Sequence, residues 1–323
     1  MLRVISFFSF LLIVSTSLHA QWKTLEPQED CTKRHECGFV AHDNGLYLVG
    51  GRGIKPVEKY DVKQNTWKAM APTPLEIHHL TPVSVNGKIY VVGGLSGKYP
   101  EEQPLTHVYA FDAKTNSWDK VFEIPENRRR GGAGAAVYKN KIYIVNGITF
   151  GHTSGTNAMF DVFDPVKKTW TVLDDAPNIR DHSSAVIVGN KLIALGGRNT
   201  SYHEPGNFTA FFSTVKNEVD YYDFKTEKWA TYSSALPAPS AGGGAVQLNN
   251  KVYYVGGETG EKLANNQMYA FDPKTDVWEK KAFLNQGRHG TNAVINKGLI
   301  YIAAGCANRG GSPEINSIEV YSE

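Results

Sequence analysis

Five of the ten histidines and four of the arginines in this sequence fall at constant distances from six small-residue doublets. Sixteen residues ahead of each doublet stand Arg34, Ile77, Arg130, Arg180, Ser240 and Arg288. The next position holds His35, His78, Gly131, Asp181, Ala241 and His289, and the one after it Glu36, His79, Gly132, His182, Gly242 and Gly290. An arginine fork matches the planar geometry of a carboxylate or sulfate. A neutral histidine titrates near working pH and can take or give a proton. If these positions converge, Arg34, Arg130, Arg180 and Arg288 make a cationic clamp, and His35, His78, His79, His182 and His289 supply base or acid. Neutralising a carboxylate acidifies the C–H beside it. The set therefore suits elimination, dehydration or epimerisation of an acidic saccharide of the uronate or sialate class. The competing role for each arginine is a structural bridge between neighbouring units. Adjacent segments are expected to hold their histidines too far apart to share a metal ion. No cofactor is implied, since the chain has no Cys-x-x-Cys and no His-Glu-x-x-His.

The doublets are Gly50-Gly51, Gly93-Gly94, Asn146-Gly147, Gly196-Gly197, Gly256-Gly257 and Ala304-Gly305. An aromatic-Asp pair follows each of the first five (Tyr60-Asp61, Phe111-Asp112, Phe163-Asp164, Tyr222-Asp223, Phe271-Asp272), with Tyr321 in the sixth, and Trp67, Trp118, Trp170, Trp229 and Trp278 stand six residues after each Asp. Repeats of roughly 40–50 residues with this pattern read as propeller blades. Within Leu80 to Val121 the chain spells four short strands, the first two joined at Asn86-Gly87, a two-residue hairpin signature. The sixth repeat ends before its tryptophan, and Trp22 stands at the other end of the chain. The prediction is an all-β, six-bladed propeller over 21–323, with the strand around Trp22 completing the last blade and removing an open edge.

The doublet, the aromatic-Asp pair and the spaced tryptophan recur in register and resemble the kelch repeat across essentially all of 21–323. The resemblance is to the exported type and extends distantly to the periplasmic sialic acid mutarotases. It implies a six-bladed β-propeller that is either carbohydrate-active or a non-catalytic module holding a glycan or protein partner on the same face. Glu258 stands in the Gly-Glu context of the mutarotases' functional glutamate, while Ala264 occupies the place of their arginine. The ligand set of the copper-dependent galactose oxidases is not matched.

Loops between second and third strands share a face with the Arg/His positions and are expected to wall the site. The longest, Arg198 to Glu218, carries Tyr202, Phe208, Phe211 and Phe212. It is expected to form a lid or a sugar-stacking platform, with Tyr202 as a ligand contact. Residues 1–20 have the layout of a secretory signal peptide, which predicts a secreted or periplasmic protein. No other segment is apolar enough to span a membrane. With 34 basic and 32 acidic side chains, the charge balance gives no support for nucleic-acid binding. Cys31, Cys37 and Cys306 are odd in number. Cys31 or Cys306 can be drawn as a disulfide partner of Cys37, and all three can equally be small buried hydrophobes.

Overall fold

The computed structural model describes residues 20–323; the expected signal peptide at 1–20 lies, apart from Ala20, outside the described residues. Six four-stranded antiparallel sheets make six blades. Blade 1 runs through Cys37–His42, Gly45–Gly50, Pro56–Asp61 and Thr66–Pro72. The first strands of blades 2 to 6 are Val83–Val85, Gly134–Tyr138, Ser184–Val188, Gly244–Leu248 and Ala293–Asn296. The predicted hairpin geometry is present: Asn86 (φ 50°) and Gly87 (φ 74°) both take the left-handed backbone that the turn requires.

Ring closure follows the expected route. Gln21–Leu25 pairs antiparallel with Ile318–Ser322, placing Trp22 opposite Tyr321. The Trp22 ring is buried, its Nε1 donates to the Ala282 carbonyl at 3.0 Å, and it lies 5.4 Å from the Tyr321 ring. The core is a set of apolar clusters between adjacent blades rather than one central mass. Leu48, Phe39 and Trp67 of blade 1, for example, share a cluster with Tyr301 and Ile318 of blade 6.

The feature that positions the site lies at the inner ends of the blades. Glu36 (φ 51°), His79 (53°), Gly132 (60°), His182 (52°), Gly242 (65°) and Gly290 (66°) all have left-handed backbone. Their main chains link blade to blade. His79 N donates to Glu36 O (2.9 Å), Gly132 N to His79 O (2.9 Å), Gly242 N to His182 O (2.8 Å) and Gly290 N to Gly242 O (2.9 Å). Ser183 N to Gly132 O (3.4 Å) and Cys37 N to Gly290 O (3.0 Å) close the circle. Glycine is needed where the ring is tightest: a Cβ on Gly290 would meet the Glu36 nitrogen at 2.8 Å.

All three cysteines are free and buried, so the third of the sequence readings holds. Burial, offset only partly by Arg34, pushes the Cys37 thiol up to about 11, and burial together with Glu58 pushes Cys31 up to about 12. Burial likewise takes Cys306 to about 11. Thiolate is the reactive form, so a thiol-specific chromogenic reagent at pH 8 is predicted to find no reactive cysteine in the folded protein. After unfolding without reductant it is predicted to find all three; a disulfide would leave one.

Candidate functional site

The three consecutive register positions have three different surroundings. At the first, Arg34, Arg130, Arg180 and Arg288 are fully buried and turn into their own blades. Arg34 Nη1, Arg130 Nε, Arg180 Nη1 and Arg288 Nη1 donate to the carbonyls of Gly50, Asn146, Gly196 and Ala304, the first members of their doublets. Each also meets a buried carboxylate on its blade's third strand. Arg34 pairs with Glu58, Arg130 with Asp161 at 2.8 Å, Arg180 with Asp220 at 2.6 Å and Arg288 with Glu319 at 2.5 Å. Arg128 adds a second pair to Asp161 at 3.0 Å.

The expected four-arginine clamp is therefore corrected to the bridging role, within a blade rather than between blades. The sequence carried a signal for this. The acids stand two residues before the blade aromatic (Glu58, Asp161, Asp220, Glu319). The two blades that lack the arginine, with Ile77 and Ser240, have Tyr109 and Tyr269 there instead.

At the second position, His35 is held through Nδ1 to Glu314 Oε1 at 2.7 Å. His78 is buried with Nε2 on the Gly97 carbonyl at 3.0 Å, and burial followed by the field of Arg52 takes it down to about 4. His289 Nε2 lies 2.8 and 2.9 Å from the carbonyls of Asn308 and Gly310. Asp181 holds His182 Nδ1 at 2.5 Å.

The third position is the left-handed ring, and three of its six members are not glycine: Glu36, His79 and His182. A side chain in this backbone region costs of order 1–3 kcal/mol, and such positions gather at functional sites. His79 and His182 stand with rings 4.9 Å apart, and His152, from the tip of the blade 3 hairpin, lies 4.9 and 5.2 Å from them. The histidines of adjacent blades in one register, His289, His35 and His78, are not grouped, but a different trio is: a ring nitrogen from each of His79, His152 and His182 lies within 4.8 Å of the other two. Side-chain extension along the axis, together with a hairpin reaching in from blade 3, closes a gap that strand spacing alone would leave.

Beside this cluster, and reaching it through His152, a cavity of about 430 Å³ is walled by His35, Glu36, Arg52, His152, Arg198 and Glu258, with Tyr99 and Phe208; His79 and His182 line a narrower space within the ring of inner strands. Arg52 Nη2 pairs with Glu102 at 2.7 Å, and buried Glu102 also accepts from His152 Nδ1 at 3.0 Å. Arg198 pairs with Glu258, reaches His182 Nε2 at 3.2 Å and lies over the Phe211 ring at 4.5 Å. Glu258 Oε2 accepts from Gly310 N at 2.8 Å. Burial pushes the Glu36 carboxyl up, but the fields of His182, His289 and His35 outweigh it and bring it to about 2.

The predicted surplus of positive charge is thus matched carboxylate for guanidinium. His35 and Glu258 line the cavity, and His182 lies in the ring beside it. Tyr202 does not reach the cavity: it is 61% exposed on the outer part of its loop, and Tyr99 and Phe208, 6.1 Å apart, stand in its place. Arg52, Glu102, His152, Arg198 and Glu314 escaped the register reading. Arg52, Arg198 and Glu258 occupy one position of their own, directly after the doublet, which counting forward from the doublet exposes. Glu102, His152 and Glu314 lie in irregular loops with no repeat to mark them.

The profile of the Attractin/LZTR1 β-propeller family matches residues 7–265. Kelch-like protein terF of Aspergillus terreus is 30% identical over 314 residues, covering 90% of this chain and 65% of its own. Human Kelch-like protein 23 is 24% identical over 372 residues, covering 98% and 63%. The chain spans less than two thirds of the length of these curated relatives. The solved structure of YjhT superposes with a TM-score of 0.72 at 20% identity, covering 90% of this chain and 95% of that one, which shows the fold. Among the described residues no helix is long and apolar enough to cross a membrane.

The burial of the four arginines has a measurable consequence. Arg180→Met leaves Asp220 charged and unpaired in the blade, and urea unfolding is predicted to show a loss of about 3–5 kcal/mol. A ligand-clamping Arg180 would instead give a variant of near-normal stability.

Proposed function

The chain belongs to the Attractin/LZTR1 family of β-propellers, and from that premise we propose that it is an exported kelch protein that converts a small acidic saccharide in its axial cavity. The reading rests on one observation: a guanidinium with room for a ligand and a carboxylate-held histidine share one cavity of small-molecule size, the usual range being roughly 300–1,000 Å³. Arg52 spends one nitrogen on Glu102 and its side chain remains 25% accessible, so it can take a ligand carboxylate. Tyr99 and Phe208 offer flat faces to a sugar ring.

His35 is the proton acceptor in this reading. Glu314 accepts from its Nδ1, which leaves Nε2 as the lone pair and stabilises the imidazolium once it forms. The C–H beside the ligand carboxylate breaks, its proton passes to His35 Nε2, and the electron pair delocalises into the carboxylate held by Arg52. Loss of a neighbouring oxygen substituent completes a lyase or dehydratase reaction. Delivery of a proton to the other face by a second acid, while His35 keeps the first, completes an epimerisation, and the same pair can serve mutarotation by proton transfer at the ring oxygen. The N-terminal run of residues 1–20 supports a secreted or periplasmic location.

A second reading, a non-catalytic module for a glycan or protein partner, is favoured by a different observation. The segments between second and third strands of blades 1 to 5 all expose large apolar side chains: Ile54, Tyr99, Phe150, Tyr202 with Phe208, and Leu263. A rim of this kind suits a broader partner.

Proton NMR of uronate-containing and sialylated oligosaccharides with the purified protein separates the two. New vinyl or shifted anomeric signals, abolished by His35→Ala, are the predicted result. Arg52→Ala is predicted to raise KM by about 10–100-fold, the value of a charge-assisted hydrogen bond of about 1.5–3 kcal/mol. Line broadening without new signals would establish the binding module, and no change with any sugar would overturn the saccharide reading.

A further inference from the structure

We propose that His79, His152 and His182 form a binding site for one divalent first-row transition-metal ion, Zn2+ or Cu2+ by ligand chemistry, with its open positions facing the axial cavity. The inference goes beyond the saccharide reading and stands without it.

The hydrogen bonds fix the tautomers. His152 Nδ1 faces Glu102 at 3.0 and 3.1 Å, and His182 Nδ1 faces Asp181 at 2.5 Å. A carboxylate only accepts, so both rings carry their proton on Nδ1. His78 donates from Nε2 to the Gly97 carbonyl, which leaves its Nδ1 as an acceptor 2.6 Å from His79 Nδ1. His79 must therefore donate from Nδ1 as well. All three rings are then unprotonated at Nε2: those of His79 and His152 meet no donor, and that of His182 accepts from Arg198, which a metal ion would have to displace.

His79 Nε2 is buried with no hydrogen-bond partner. The group facing it is another acceptor, Glu36 Oε2, at 3.4 Å. His152 Nε2 has no protein partner among the described residues, and His182 Nε2 has only Arg198. Lone pairs and a carboxylate gathered in a buried space, with one guanidinium to serve them, are an arrangement that a cation completes.

The chemistry of the set selects the ion. Three imidazoles suit zinc, copper, nickel or iron and are a poor match for calcium or magnesium. Histidine ligands that hand their other nitrogen to a carboxylate are oriented and made more basic by it, the arrangement that surrounds metal-binding histidines generally. Asp181 and Glu102 do this here. Asp181 is itself fixed by Thr156 Oγ1 at 2.6 Å and Thr200 N at 2.9 Å, and Glu102 by Arg52 at 2.7 Å. Three protein ligands with a free position are the pattern of a catalytic rather than a structural ion. Zn–N bonds of about 2.0–2.1 Å require the three nitrogens to draw in from their present separations. The His152 hairpin tip can supply that movement more readily than the ring, which is locked by main-chain bonds. A bound ion also supplies the positive charge that the cavity's matched arginines and carboxylates do not.

The test uses the full purified chain, stripped with a chelator, desalted and titrated calorimetrically with Zn2+, with Co2+ followed by visible absorption as a second probe. The predicted result is one equivalent per chain, a Co2+ band typical of imidazole ligation, and a rise in Tm with Zn2+. His152→Ala, which changes only a hairpin tip, is predicted to weaken Zn2+ by more than about 100-fold, and Glu102→Gln by about 10–100-fold as expected for an outer partner. His107→Ala, a histidine on the outer part of blade 2, should leave binding unchanged. No stoichiometric uptake by the folded wild-type chain, or uptake that His152→Ala leaves intact, overturns the proposal.

Discussion

The molecule is organised by one constraint: six blades must meet around an axis too narrow for ordinary backbone. The circle of main-chain hydrogen bonds through Glu36, His79, Gly132, Ser183, Gly242, Gly290 and Cys37 meets it with left-handed conformations at six equivalent positions. Glycine is the cheap solution, and Gly132, Gly242 and Gly290 adopt it. At the other three positions the chain accepts strain to place Glu36, His79 and His182. Their side chains are carried to the axis by the same bonds that close the propeller. The site is therefore preorganised, since moving any one of them would break an inter-blade link.

Charge is distributed by depth. In four of the six blades the arginine–carboxylate pairs act as internal pegs, tying the doublet carbonyl to the blade's third strand. A buried pair of this kind adds little net stability over an apolar equivalent but is costly to break. At the cavity, Arg52, Glu102, Arg198 and Glu258 form a second set of pairs that is only partly closed off from it. The first set holds the shape, and the second contains the groups a ligand can rearrange.

The fold was fully legible in the repeats, because a blade needs its hairpin turn, its doublet and its inter-blade aromatics at fixed spacing. Trp22 could be assigned to the last blade because only one tryptophan was missing from the pattern and only one was left over. The site was legible in part. Register placed Glu36, His79 and His182 at one level but could not tell an arginine that points up from one that turns into its blade. That distinction lay in the acids two residues before the blade aromatics, a second register that must be read together with the first. His152 and Glu102 were hidden because they sit in loops whose lengths differ from blade to blade, where no internal comparison exists. Tyr202 was misplaced for the same reason: composition indicated an aromatic wall, and loop geometry gave that role to Tyr99 and Phe208.

The structure requires His79, His152 and His182 all to carry their proton on Nδ1, leaving each Nε2 as an acceptor, with Arg198 facing that of His182. Long-range proton–nitrogen correlation NMR on histidine-labelled, metal-free protein reads the tautomer of each ring directly. The predicted spectrum shows Nδ1 as the protonated nitrogen of His79, His152 and His182. A ring with its proton on Nε2 and a bare Nδ1, at any of the three, would contradict the account.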